Sequence, residues 1–123
     1  MLSVGNTLLI STPKNNKEHL FIIIAMEESS NTALLVCFTT PKIGCDESCC
    51  VNAGEHSFLI YNSVVNYADA RTTPISNIEY CLNNGIYKKH NPVSGKLLQK
   101  IQAGALKSPA ISKKHLDFLK SNI

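Results

Sequence analysis

The longest apolar run in the chain, Leu20-Phe21-Ile22-Ile23-Ile24-Ala25-Met26, limits what it can fold into more than any other feature. Three adjacent isoleucines favour extended backbone, because side chains branched at Cβ pack well on a pleated surface. Polar clusters bound the run on both sides, and a membrane span needs about 20 residues. The segment therefore reads as a central strand buried on both faces. Glu27 to Thr32 is a polar loop of hairpin length. Ala33 to Thr39 returns as the antiparallel partner and is stopped by Thr40-Pro41.

Further short strands are expected around this pair. Thr7 to Ser11 is an apolar run after Gly5-Asn6, and Phe58 to Tyr61 and Ser63 to Tyr67 are two more candidates separated by Asn62. Short strands this close together suggest a small, strongly curved sheet or barrel. Pro41 to Glu55 has no apolar periodicity, a length of loop that small domains usually keep for function. After Pro74 the period changes to that of helices. Ser76-Asn77-Ile78-Glu79 is a capping box, with Gly85 as the stop. Ser94 caps a second helix with Leu97, Leu98, Ile101 and Ala105 on one stripe, and Ser112 caps a third with Leu116 and Leu119 inward. The expectation is an α+β fold: one domain over residues 1–123, with a β-barrel core over 1–73 and a helical part over 74–123.

Composition narrows the class. With 123 residues, 44% hydrophobic and a formal charge of +3, the chain is too apolar for disorder and too short for two domains. It shows no charged-then-apolar leader and no apolar run of spanning length, so a soluble cytoplasmic protein with no membrane partner is expected. The five cysteines, an odd count, argue against a disulfide framework and for reduced, mostly structural thiols. Cys45, Cys49 and Cys50, followed by His56, offer soft ligands, but no second closely spaced pair completes a zinc pattern. No metal and no cofactor are expected.

The charge is unevenly divided. Residues 1–80 carry Lys14, Lys17, Lys42 and Arg71 against eight acids, whereas residues 81–123 carry eight lysines against Asp117 alone. A basic last third attracts phosphate or forms the solvated face of amphipathic helices. A single arginine cannot form a bidentate phosphate-reading cluster, which argues against a dedicated duplex-DNA binder.

No phosphate loop, dinucleotide fingerprint, nucleophile elbow or helical zinc-protease motif is present. What remains are polar groups near strand ends: His19, Thr39, Thr40, His56 and Asp69-Ala70-Arg71-Thr72-Thr73. A histidine can carry a proton near neutrality, the arginine can hold a phosphate, and hydroxyls can orient one. Each also has a plainer role: the threonines ending a strand, Asp69 and Arg71 forming a structural ion pair, His56 capping a loop.

The order of these segments resembles the PemK/MazF/Kid-like toxins. Gly5-Asn6-Thr7-Leu8, the Leu20–Met26 strand and Leu35-Val36-Cys37-Phe38-Thr39-Thr40-Pro41 are similar to the family's opening. Asp46-Glu47-Ser48-Cys49-Cys50-Val51, Gly54-Glu55-His56-Ser57-Phe58 and Ser63-Val64-Val65-Asn66-Tyr67 resemble a divergent branch. The likeness covers roughly residues 3–73. It implies a small SH3-like barrel with attached helices, often a homodimer. The implied protein is the toxin of a toxin–antitoxin pair, a metal-independent endoribonuclease cutting single-stranded RNA through the ribose 2′-hydroxyl and held in check by a cognate antitoxin. By the same resemblance His19 or His56 is the acid/base, and Arg71 holds the scissile phosphate. Thr39, Thr40, Lys42 and Thr72 contact the RNA. Glu18-His19 stands where the family has Arg-Pro. The alternative is a barrel without catalytic activity that serves as an interaction or regulatory module.

Overall fold

The computed structural model describes residues 1–11 and 17–123, which leaves Lys14 outside. Among the described residues the elements run β1 (Thr7–Ser11), β2 (Glu18–Glu27), β3 (Thr32–Thr39), β4 (Cys50–Val51), β5 (Ser63–Pro74), α1 (Ile75–Asn83), β6 (Lys88–His90), α2 (Gly95–Lys107) and α3 (Lys113–Ser121). The strands form one antiparallel sheet in the order β4-β5-β3-β2-β1-β6. It curls into a half-barrel, and with the three helices this makes an α+β protein.

Two irregularities account for the curl. In β2, Ile24 falls between the pairs Ile23↔Leu35 and Ala25↔Leu34. In β5, Tyr67 to Ala70 stand against Val36 alone, between Leu35↔Arg71 and Cys37↔Asn66. Extra residues on one strand bend it and increase its twist. The terminal strands are only two and three residues long, and Lys88 and Lys89 on β6 discourage further pairing at that edge.

The apolar run behaves as a strand buried on both faces should. Leu20, Ile22 and Ile24 join one core with Tyr67, Leu97, Ile101 and Leu119, under α2 and α3. Phe21 and Ile23 join a second core with Leu8, Leu35, Cys37 and Ile78, under α1. Helix α2 approaches the sheet very closely at Gly104. A Cβ there would run into the Tyr67 hydroxyl and lie 2.8 Å from the Cys49 Cβ. Tyr67 is fully buried and donates its hydroxyl proton to the Ile101 carbonyl at 2.6 Å.

Five expectations need correction. Phe58 to Tyr61 is not a strand. Leu59 turns back on itself, donating its N–H to the His56 carbonyl at 3.0 Å and accepting from Gly54 at 2.9 Å. Only Leu59 of this segment is buried, so the run has no strand-like inner face. The loop from Pro41 is interrupted by β4, and β5 continues through Arg71 and Thr72 rather than ending at Tyr67. The helical third contributes β6, which pairs with β1. Finally, Ser76 does not cap α1: the helix begins at Ile75, with no side-chain cap from its own Pro74. Asn31 in the β2–β3 turn replaces it, accepting from the Ser76 N–H through Oδ1 and from the Ile75 N–H through its carbonyl, each at 3.0 Å. Ser94 and Ser112 cap α2 and α3 as expected, accepting from Leu97 and His115.

Candidate functional site

The sheet register gathers the strand ends. Phe21 pairs with Cys37, and continuing that antiparallel register by two residues sets His19 opposite Thr39; Thr39 in turn pairs with Val64. A cleft of about 570 Å³ opens at this end of the sheet. Four of the residues singled out in the sequence line it: His19, Thr39, Thr40 and Lys42.

Residues that sequence reasoning did not single out share the same cleft, notably Lys17, Phe58 and Tyr61. Tyr61 is 75% exposed and its neighbour Ile60 74%. An aromatic left in water beside the turn is the available signal, but it was masked because the apolar triplet before Asn62 looks like a strand. Cations, hydroxyls and open aromatic faces in one groove are the chemistry that suits an unpaired nucleic-acid strand: cations track the phosphates, and aromatic rings stack on bases of any sequence.

Two smaller clefts of about 270 Å³ each adjoin it. One is lined by Thr39, Thr40, Asp46 and Asn66, the other by Glu47 and Cys50, and Cys45 lines both. Lys42 lines all three. The segment after β3 is tethered by Asp46, whose carboxylate accepts from the Ser48 N–H at 2.9 Å and from the Ser48 and Ser108 hydroxyls. Burial pushes the Asp46 carboxyl up, but the hydrogen bonds from Ser108 and Ser48 outweigh it and leave the group below its ordinary value. Nearby, Glu55 is held low mainly by the Asn52 N–H, with further help from Lys100 at 3.3 Å.

The other singled-out residues lie elsewhere. His56 is buried; its Nδ1 accepts from the Phe58 N–H at 3.0 Å, so its Nε2 carries the proton that is donated to the Asn91 carbonyl at 2.6 Å. The ring thereby ties the turn after β4 to the segment after β6, and it lies 5.3 Å from the ring of His90. Arg71 pairs in register with Leu35, four residues along β3 from Thr39, which at strand rise is about 13 Å away. Its guanidinium lies over the Phe21 ring, 4.7 Å from the centroid. Asp69 accepts from Asn66 at 3.0 Å. The ion pairs found among the described residues are Lys100–Glu55 and Lys113–Asp117, so Asp69 and Arg71 are not joined as a structural pair. Thr72 stands opposite Leu34, farther still along the strand.

All five cysteines are free thiols. Burial pushes Cys37 up to about 11, helped by the Asp69 charge and opposed by Arg71. Burial also raises Cys49, with the Tyr67 hydrogen bond opposing. Among the described residues no three His, Cys, Asp or Glu side chains gather closely enough to hold a metal ion, and no helix is long and apolar enough to cross a membrane. Comparison of the chain with protein families, with curated proteins and with solved structures found no match in any of the three.

Proposed function

We propose that the large cleft binds single-stranded RNA and that the protein cleaves it, as the toxin of a toxin–antitoxin pair built on a small SH3-like barrel of the PemK/MazF/Kid type. The observation that carries this reading is the presence of His19, Thr39, Thr40 and Lys42 on one cleft with the exposed ring of Tyr61. Lys17 and Lys42 supply charge for the phosphates, Tyr61 and Phe58 supply stacking faces, and the threonine hydroxyls orient the backbone.

Cleavage by the ribose 2′-hydroxyl needs a group that removes its proton and a cation for the charge developing on the phosphate. His19 is the imidazole on this cleft and takes the first role; the Lys42 ammonium takes the second. The products are a 2′,3′-cyclic phosphate and a 5′-hydroxyl whose oxygen takes a proton from solvent. The proposed partners are RNA, an antitoxin that blocks the cleft, and a second copy of the chain, with the cytoplasm as the place of action.

A specific pair of observations favours the second reading, a binding module without catalysis. Arg71 rests on Phe21 and His56 has both ring nitrogens engaged, so neither lines the cleft. Incubation of the protein with an end-labelled, unstructured RNA of mixed sequence separates the two. Binding with accumulation of cyclic-phosphate ends supports the nuclease; binding with intact RNA supports the module. Absence of binding at about 100 µM protein, the weak end of non-specific nucleic-acid affinities, overturns the nuclease and leaves only a module whose partner is not RNA.

A further inference from the structure

The cysteine cluster has no part in the RNA reading, yet its geometry is not that of three equivalent buried thiols. Cys49 and Cys50 are adjacent on the approach to and start of β4, where successive side chains point to opposite faces. Cys49 goes inward, 2% exposed, against Tyr67 and Gly104. Cys50 goes outward into the smaller cleft that it shares with Cys45. The chain between these two is folded back by the Asp46–Ser48 turn, and the Cys50 thiol reaches back over it to the Glu47 carbonyl at 3.6 Å. Two cysteines that are not buried thus line one cleft of about 270 Å³, with only four residues between them in the chain.

We propose that Cys45 and Cys50 are a peroxide-responsive dithiol that closes this cleft by forming a disulfide. One thiol attacks hydrogen peroxide, its sulfur becoming a sulfenic acid as the O–O bond breaks and one water leaves. The second sulfur displaces the hydroxyl from that sulfenic acid, so the S–S bond forms and a second water is released. Two thiols are oxidised, one peroxide is reduced, and a small thiol reductant reverses the step. Cys49 and Cys37 are shielded by burial and stay reduced. Lys42 lines this cleft and the RNA cleft alike, so closure also shifts a phosphate-binding cation. This last coupling rests on the RNA reading; the thiol chemistry does not.

The test treats the full chain with a slight excess of hydrogen peroxide under native conditions and maps the product by peptide mass. The expected result is a single chain lighter by about 2 Da, the two thiol hydrogens, with one Cys45–Cys50 bridge that dithiothreitol removes. Cys49→Ser is expected to leave the bridge intact, while Cys45→Ser and Cys50→Ser abolish it. A bridge through Cys49, a bridge between two chains, or progression to sulfinic acid without any bridge overturns the proposal. In a parallel measurement, RNA affinity is expected to fall at least threefold on oxidation and to recover on reduction. An affinity unchanged by a fully formed bridge overturns the coupling, whereas a bridge in a protein that binds no RNA even when reduced defeats the RNA reading and leaves the dithiol standing.

Discussion

The guanidinium of Arg71 lies over the face of Phe21, 4.7 Å from the ring centre, on the side of the sheet that α1 covers. The chain's one arginine is therefore engaged with the sheet rather than presented to the cleft lined by His19 and Thr39, about 13 Å from Thr39 along β3. A cation over an aromatic face at an accessible site contributes about 0.5–1 kcal/mol. Arg71→Ala is expected to lower the melting temperature by about 2–6 °C and to change RNA affinity by less than about threefold, a smaller loss than a phosphate contact carries. Thermal melting and RNA titration on the same variant check this. Lost binding or cleavage with unchanged melting would restore Arg71 to the phosphate-holding role that the family resemblance implies.

Tyr61 is the counterpart case, a residue whose removal should affect binding and not folding. Its ring is 75% exposed and lines the cleft, so truncation removes little packing. A base stacked on an aromatic side chain contributes about 1–3 kcal/mol, so Tyr61→Ala should weaken RNA binding by roughly 5- to 150-fold. The melting temperature should hold within about 1 °C, as surface changes usually do. Fluorescence anisotropy with a short unstructured RNA reads the first, and a change of less than twofold removes Tyr61 from the interface.

Gly104 is expected to be intolerant of even a methyl group. Alanine ordinarily favours a helix interior by about 1 kcal/mol over glycine, but here the added carbon meets Tyr67, Cys49 and the Ser48 carbonyl. Overpacking of this kind costs about 1–3 kcal/mol, more than the helix gain. Gly104→Ala should therefore destabilise the protein and separate α2 from the loop before β4. An unchanged or higher unfolding midpoint in urea contradicts the close packing of α2 on Tyr67.

Asp46 gives the structure an acid limit. Its carboxyl is lower in the folded protein than its ordinary value of 3.8, because Ser108 and Ser48 hydrogen bonds outweigh burial. A depressed folded value means that the contribution is present above the unfolded value and lost as pH falls through the folded one. Stability should thus decline below about pH 4 as the tether to Ser108 is protonated. Asp46→Asn should be less stable at neutral pH and show a shallower acid decline, measured by denaturant midpoints across pH 2–6. Parallel wild-type and variant profiles contradict the tether.

Much of the sheet was legible because strand burial leaves a period in the sequence. Leu20 to Met26 had to be central, and the hairpin to Thr39 followed from the polar turn between them. Ser94 and Ser112 declared their helices because a cap acts locally, on backbone two or three residues away. Asn31 did not declare itself. It caps α1 from 45 residues away, with a positive φ of 53°, and no local pattern carries such a contact. The same limit applies to the site. Of the residues picked at strand ends, His19, Thr39 and Thr40 share the cleft because the continued β2–β3 register sets His19 opposite Thr39, whereas Arg71 and Thr72 lie farther along β5. Tyr61 and Phe58 reached the cleft through an irregular turn, and His56 went into the interior through two backbone contacts, neither of which has a period to read.

The central claim is that the cleft beside His19 both binds and cuts RNA. The most direct measurement is a single-turnover cleavage assay, with binding measured in parallel, comparing the wild type with His19→Ala. The account predicts binding within about threefold of wild type and cleavage slower by at least about a hundredfold, the scale set by losing one acid/base group, with cyclic-phosphate ends in the wild-type product. Equal cleavage by both proteins, or cleavage leaving 3′-hydroxyl ends, would contradict it.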